Sequence, residues 1–433
     1  MKKTIRLLAA ALLGASLIAS AQANARSYLV MAQGNNVPPG LAKEIKAAGG
    51  TITKVISQVG IVVVESENPD FATSISGVQA VMPNLTVNWL PDDLQVEMAD
   101  DAANPPNSGD DDFFFDLQWG HDVVNAPEAW DAGQRGAGVR VAVLDSGIDH
   151  DNPDLAPNLN TELSRSFVPG EDFFVRPGRF FNHGSHVAGT IGAADNGFGT
   201  IGVAPDVELV AVKVLSEFTG SGEFSGVIEG IVYAADIDAD IINMSLGATL
   251  PRHGDPQGEE PYNGADVAAL ATAISRAVTY AYQSGTVVFV SEGNSAINKD
   301  RPGEGYNGDL ITLPADATNA VSISATAPLG WVSQNFDGNF NGLAYYSNYG
   351  LSAVEFGAPG GTLAYPGNEA CLVAGLVRPC WVFDLVFSNS SEAWFWAQGT
   401  SMAAPHAAGV AAIIIGENGG DMHPAAVQID PGM

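Results

Sequence analysis

The stretch "VRVAVLDSGID", residues 139 to 149, decides the fold. From Val139 to Leu144 every residue except Arg140 is apolar, and the run then closes on Asp145 and a Ser-Gly turn. A run this short, rich in valine and without polar alternation, suits a strand covered on both faces better than a helix. The same pattern returns in "VELVAVKVL" (207–215), "DIINMSLG" (240–247), "TVVFVSEGN" (286–294) and "AVSISAT" (320–326). Helical patterns separate these runs: "SHVAGTIGAA", "FSGVIEGIVYAAD" and "VAALATAISRAVTYAYQSG", the last with apolar residues at helical spacing. Doubly covered strands joined by helices predict an α/β fold with a parallel sheet sandwiched by helices, and ligands in such sheets sit at the carboxyl ends of the strands.

Upstream, residues 26–91 read as a separate small α+β unit. "SYLVMAQ" and "VGIVVVES" are strands, "PPGLAKEIKAAGG" is a helix started by proline and stopped by glycine, "NPDFATSISGV" is a second helix, and "VQAVMPNLTVNW" closes the unit. The order strand, helix, strand, strand, helix, strand predicts a ferredoxin-like sandwich. Residues 92–112, polar, acidic and punctuated by proline, read as a linker, which leaves 113–433 as the large domain. At the other end, "MKKTIRLLAAALLGASLIASAQANA" has early basic residues, an apolar stretch and small-x-small sites, so residues 1–25 read as a signal peptide and the mature chain as secreted. No later stretch is long and apolar enough to span a bilayer.

Export bears on Cys371 and Cys380, the two cysteines of the chain. An oxidising compartment favours a disulfide closing a short loop over two free buried thiols. The net charge of −31 argues against nucleic acid or an anionic membrane as partner. It reads as a solubilising surface on a monomer rather than as a functional acidic patch. Beyond residue 100 the lysines are Lys213 and Lys299 alone.

The chemistry collects where strands end and helices begin. Asp145 closes "VAVLD"; singly it is as much an Asx-turn residue as a functional carboxylate. In "FNHGSHVAGTIGA", His183 stands at the start of a small-residue helix with His186 one turn inside it, and Gly184, Ala188 and Gly189 permit close packing. Asn294 ends "VVFVSEGN" and is either a turn residue or an amide donor for a developing oxyanion. In "AQGTSMAAPHAAGVAAIII" (397–415), Ser401 is either a helix N-cap or a nucleophile. Together the four supply orienting carboxylate, base, oxyanion donor and nucleophile, in the chain order Asp, His, Ser. The G-x-S-x-G elbow of lipases and esterases is absent from "GTSMA".

"VAVLDSGID", "NHGSHVAGTIGA", "INMSLG", "SEGNS" and "GTSMAAPHAAG" resemble the successive motifs of the subtilisin-like serine proteases, and residues 26–90 resemble their inhibitory propeptide. The resemblance implies a secreted serine endopeptidase with Asp145, His183 and Ser401 as triad and Asn294 as oxyanion donor. It implies structural roles for His186 and His406. Ser245, Leu246 and Gly247 would pair with the substrate backbone, faced by "GSGEFSG" with Gly220 and Gly222. Its partners would be protein or peptide substrates and its own propeptide. It needs no catalytic cofactor; "ADNGFGTIGVAP" resembles a loop for structural calcium, with Asp154, the Asn196 side chain and the carbonyls of Ala194, Phe198 and Thr200 as ligands. Glu292 stands where relatives carry a small apolar residue, and is expected either to border the specificity pocket or to face solvent. The rival readings are a catalytically silent binding protein on the same fold and a related acid peptidase, which would carry an acid at position 183.

Overall fold

The computed structural model describes residues 25–91, 96–99, 110–258, 260–300, 309–333 and 339–419. The signal-peptide reading falls outside them except for Ala25.

The amino-terminal unit runs β1 (Arg26–Met31), α1 (Leu41–Ala47), β2 (Gly50–Ile56), β3 (Ile61–Ser66), α2 (Phe71–Ser74) and β4 (Ala80–Pro83). Its sheet is antiparallel in the order β2-β3-β1-β4. The second helix, expected over 68–78, is a single turn, because β-branched Ile75 is already extended (φ −96°, ψ 130°) and Gly77 turns the chain at φ 69°. Period-2 alternation sorts the sheet's side chains. Tyr28, Val30, Val62 and Val64 close over α1 and Phe71, whereas Leu29, Met31 and Val63 join the core of the large domain.

Beyond β4 the chain continues as β5 (Thr86–Asn88), and within the stretch read as a linker Val96–Ala99 forms a strand, β6. The large sheet is then built from β7 (Arg140–Asp145), β8 (Glu208–Lys213), β10 (Ile241–Met244), β11 (Val287–Ser291), β12 (Ala320–Ala327) and β13 (Phe356–Pro359). These six are mutually parallel in the order β8-β7-β10-β11-β12-β13, and the short strands Arg165–Ser166 and Gly342–Leu343 extend the sheet. Between β8 and β10 lie β9 (Ser221–Glu223) and α4 (Phe224–Asp236); α3 (His183–Gly192) precedes β8 and α5 (Gly264–Gln283) precedes β11. A hairpin of β14 (Val386–Asn389) and β15 (Trp394–Ala397) leads into α6 (Thr400–Glu417). β6 adds to the free side of β15.

The near-continuous apolar runs have the expected physical cause. Val141 and Val143 face the core that holds α3 and α6, while Ala142 and Leu144 face the core that holds α4 and α5. Each such valine or leucine, fully buried, contributes roughly 1.5–3 kcal/mol. The small unit lies against α4 and α5, held by Lys54 to Glu229 and Gln58 to Asp236 and above all by Arg276 of α5. The Arg276 guanidinium donates to the carbonyls of Ala32, Gly34 and Val59 at 3.1 Å each. Cys371 and Cys380 are joined, S–S 1.97 Å, across a hairpin of the large domain. No helix of the described residues is long and apolar enough to cross a membrane.

Candidate active site

Asp145 ends β7 at the point where the next strands lie on opposite sides of it, β8 on one and β10 on the other. Such a switch point opens a crevice at the carboxyl ends. The carboxylate is fully buried, accepts from its neighbour Ser146 N at 2.6 Å, and meets His183 Nδ1 at 2.8 Å (Oδ2) and 3.0 Å (Oδ1). That contact places the ring proton on Nδ1, and His183 Nε2 is buried with no hydrogen-bond partner.

The histidine is aimed by the start of α3. Asn182 caps the helix, accepting from Ser185 N at 2.8 Å and Ser185 Oγ at 2.7 Å. Gly184 lets the helix abut the strand end: a Cβ there would lie 2.2 Å from Gly147 O and 3.2 Å from the Asp145 side chain. His186, one turn on, is buried with Nε2 3.0 Å from Phe395 O, and burial pushes it down to about 3. His406 meets Met402 O at 2.8 Å and is pushed down by burial to about 4. Both rings are therefore neutral parts of the core.

Ser401 lies in the first turn of α6, and its Oγ donates to Ser245 O at 3.3 Å while Ser245 Oγ donates to Ser401 O at 2.7 Å. Asn294 follows β11, and its Oδ1 accepts from Thr400 N at 2.9 Å and Thr400 Oγ1 at 2.8 Å. With its oxygen engaged, the amide presents Nδ2 as a donor. A Cβ on Gly399 would sit 3.4 Å from Asn294 Nδ2 and 3.5 Å from Ser401 N, so two N–H donors converge beside that glycine. Gly399 has φ 152°, a conformation side chains disfavour, and any side chain would fill the space the donors face.

The expected substrate-binding segments are occupied by the chain itself. β5 pairs antiparallel with β9, Val87 opposite Gly222 and Asn88 opposite Ser221. Trp89 N donates to Gly220 O at 3.2 Å, Gly247 N donates to Trp89 O at 3.0 Å, and the indole N–H of Trp89 donates to Gly222 O at 2.8 Å. Trp89 is buried against Phe224, ring centroids 4.7 Å apart, in the core that includes Leu246. Gly220, Gly222 and Gly247 thus flank one path along which residues 86–89 run, whereas Leu246 lies in the core shared with Trp89 and Ser245 is bonded to Ser401. Pro91 then walls two cavities, one lined by Ser146, Asn182 and His183, the other by Asn294, Ser295 and Gly399.

Glu292 corrects both expectations about it. It neither borders the pocket nor meets solvent: it is fully buried, with Oε1 3.0 Å from Lys299 Nζ, which also meets Asp316 at 2.7 Å. Burial pushes the Glu292 carboxyl up to about 7 against the pull of Lys299. Burial works against the Lys299 charge, but Glu292 and Asp316 hold its ammonium above the usual lysine value.

The loop resembling a calcium site gathers its five expected residues in one place. Ala194 N donates to Asp154 O at 2.8 Å and Thr200 N to Asp154 Oδ2 at 2.9 Å, and the Asn196 side chain donates to Pro153 O at 3.3 Å. Three residues that motif reading missed complete it. Asn389 Nδ2 and Trp394 Nε1 donate to Asp154 Oδ2 at 2.6 and 3.3 Å, and Asp112 Oδ1 accepts from Asn196 N at 3.3 Å and Phe198 N at 3.1 Å. Burial pushes Asp154 up to about 6 and Asp112 up to about 8, the latter with help from its hydrogen bond to Asp110. Asp154 Oδ1 is buried with no hydrogen-bond partner. Two buried carboxyls and an orphaned oxygen fit a hard cation bound through oxygen.

Comparison with known proteins identifies the family and the fold. The Subtilase family profile matches residues 136–429. M-protease of Shouchella clausii is 33% identical over 304 residues, 70% of this chain but only 60% of that protein's length. Subtilisin Savinase of Lederbergia lenta is likewise 33% identical over 304 residues, covering 70% of this chain and 85% of that protein. Among solved structures, the epidermin leader peptide processing serine protease of Staphylococcus aureus shares the fold at TM-score 0.68 and 19% identity, over 90% of this chain and 88% of its own. A protease from Pseudoalteromonas arctica is 28% identical at TM-score 0.51, over 71% of this chain and 87% of its own.

Proposed function

Because the chain belongs to the subtilase family of serine endopeptidases, we propose that it is a secreted member, made as a precursor, that cleaves peptide bonds through an acyl-enzyme on Ser401. The observation that carries this is the buried Asp145–His183 pair with its unmet Nε2. In the reaction the Ser401 hydroxyl leaves Ser245 O for His183 Nε2 and gives up its proton there as Oγ bonds to the substrate carbonyl carbon. Asp145 keeps the ring in the Nδ1–H tautomer and stabilises the imidazolium. The carbonyl oxygen, now negative, accepts from Ser401 N and Asn294 Nδ2. Collapse breaks the C–N bond, and the leaving amine takes the proton from Nε2. Water then repeats the sequence, losing its proton to Nε2 and releasing the acid and Ser401.

Residues 26–91 serve as the inhibitory propeptide. Strand addition of residues 86–89 between Gly220–Gly222 and Gly247 supports this, since it occupies the path an extended substrate needs. Calcium would be held by Asp154, Asn196 and the carbonyls of Ala194, Phe198 and Thr200, where it would neutralise buried carboxylate and tie the loop down. The test is labelling with a peptidyl phosphonate followed by mass mapping. Label on Ser401, and none on Ser401→Ala, is expected; label elsewhere, or hydrolysis surviving in Ser401→Ala, would overturn the assignment.

A further inference from the structure

The loop that carries Asn294 has no ladder of its own to hold it. It leaves β11 at Ser291, turns at Gly293 with φ 104°, and passes Ala296 at φ 54°, a left-handed value that only glycine adopts cheaply. The backbone groups of so irregular a stretch must find partners elsewhere. Four of them go to one residue. Asn348, fully buried, donates from Nδ2 to Glu292 O at 2.9 Å and accepts at Oδ1 from Ser295 N and Ile297 N, both at 3.0 Å. Its own backbone N donates to Gly293 O at 2.9 Å. These contacts bracket Asn294 on both sides. The approach is close enough that a Cβ on Gly293 would lie 2.7 Å from Asn348 Nδ2. The next residue continues the seam, Tyr349 N donating to Ile297 O at 2.9 Å and Lys299 N to Tyr349 O at 2.8 Å.

Asn348 is in turn fixed to the sheet. Its carbonyl accepts from Ser324 Oγ at 2.6 Å and from Ser347 Oγ at 2.9 Å, and Ser347 Oγ accepts from Ala325 N at 2.9 Å. Ser324 and Ala325 belong to β12, the neighbour of β11. We infer that Asn348 is the positioning residue of the oxyanion donor: it clamps the main chain on both sides of Asn294 to β12 and so sets where Asn294 Nδ2 points. This rests on the endopeptidase reading and deepens it at the oxyanion. Thr400 holds the other end, since its hydroxyl bonds both Asn294 Oδ1 and Gly293 N. Thr400 therefore sets the rotation of the side-chain amide, and Asn348 sets the place of the backbone from which that amide hangs. The residue type follows from the task. A side-chain amide offers a donor and an acceptor oxygen with two lone pairs at once. Aspartate would keep the bonds from Ser295 N and Ile297 N but set an oxygen against Glu292 O, and serine lacks the amide altogether.

The test uses the enzyme that the full chain yields, with Asn348→Ser and Asn348→Asp made alone and together with Asn294→Ala. A misplacement of about 1 Å at the reacting centre costs on the order of 100-fold. Asn348→Ser should lower kcat by about that factor with KM held within about two-fold, and should weaken in parallel a peptide aldehyde, whose adduct on Ser401 carries the same oxyanion. Asn348→Asp, which keeps the Ser295 and Ile297 bonds, should lose about ten-fold. In the Asn294→Ala background neither should lower kcat by more than about two-fold, because the donor they misplace is gone. Equal losses in both backgrounds, a loss confined to KM, or an unchanged kcat overturns the inference, while cleavage by the parent and label on its Ser401 leave the endopeptidase reading intact. A second arm stands even where a variant at 348 does not fold. Ser295 is exposed, yet in full-length Ser401→Ala its amide and that of Ile297 should exchange with solvent as slowly as the amides of β11. Free exchange at both overturns the inference.

Discussion

Two strands of the central sheet end on a buried carboxylate beside a glycine turn, and the two carboxylates do opposite things. Asp145 closes β7 and points at His183, 2.8 Å away; Glu292 follows β11 and points at Lys299, 3.0 Å away. Lysine stands near both. Lys213, fully buried, lies opposite Asp145 in the sheet register and is held by Glu171 at 2.9 Å, so it leaves Asp145 to the histidine. Lys299 instead takes Glu292 itself. The two lysines beyond residue 100 are thus both spent on internal ion pairs. A carboxylate at a strand end is a candidate for chemistry, and the cation packed against it decides whether it has any.

Breaking the His183 side should have the largest effect. Asp145→Asn should lower kcat by about 10,000-fold with little change in KM, because the amide no longer holds the productive ring tautomer. Loss in KM alone would remove Asp145 from that role. On the other wall, Asn294→Ala should lower kcat by roughly 100- to 1,000-fold if, as proposed, its Nδ2 donates to the oxyanion in the transition state. Steady-state kinetics on one peptide distinguishes the two.

The Lys299 side should show in stability rather than in chemistry. Lys299→Met leaves Glu292 buried beside Asp316 without a cation, and should cost about 3 kcal/mol in unfolding free energy. Full stability by denaturant titration would show that the ion pair contributes nothing. Glu292→Gln sharpens the point through pH. The Glu292 carboxyl holds its proton more tightly folded, at about 7, than unfolded, near 4.5. Its contribution to stability is therefore fully present below about pH 4.5 and is lost as pH rises to about 7. The melting temperature of Glu292→Gln, relative to the parent, should rise across that window and level off above it; a flat difference would put the ionised carboxylate elsewhere. The smallest effect is expected on specificity. Buried and neutralised, Glu292 should leave the ratio of kcat/KM for a basic residue over leucine before the scissile bond unchanged in Glu292→Ala, and a fall in that ratio would return the side chain to the pocket.

Legibility followed locality. The long parallel strands were readable because burial on both faces leaves an apolar run that needs no partner to be noticed, and "VRVAVLD" and "TVVFVSEGN" carry that signal in themselves. The single-turn helix at Phe71–Ser74 and the strand at Val96–Ala99 were not. The first is cut short by one β-branched residue, and the second depends on an edge supplied from almost 300 residues further along the chain. Motif spacing likewise assembled Asp145, His183, Asn294 and Ser401 into one list of roles. It was silent on Thr400 orienting Asn294, although Thr400 adjoins Ser401 in sequence, because a hydrogen-bond acceptor over 100 residues away is invisible to spacing.

By itself the sequence determined the layer architecture and the family and named the candidate reactive residues, since each is written in side-chain type and local order. Only the tertiary structure decided where Glu292 points, that Asp112, Asn389 and Trp394 complete the Asp154 loop, that Thr86–Asn88 pairs with β9 and that Val96–Ala99 pairs with β15. Those are pairings between groups distant in sequence. A buried charge or an open strand edge must find some partner, but which one is settled by packing, because only the folded chain brings candidates within hydrogen-bond reach.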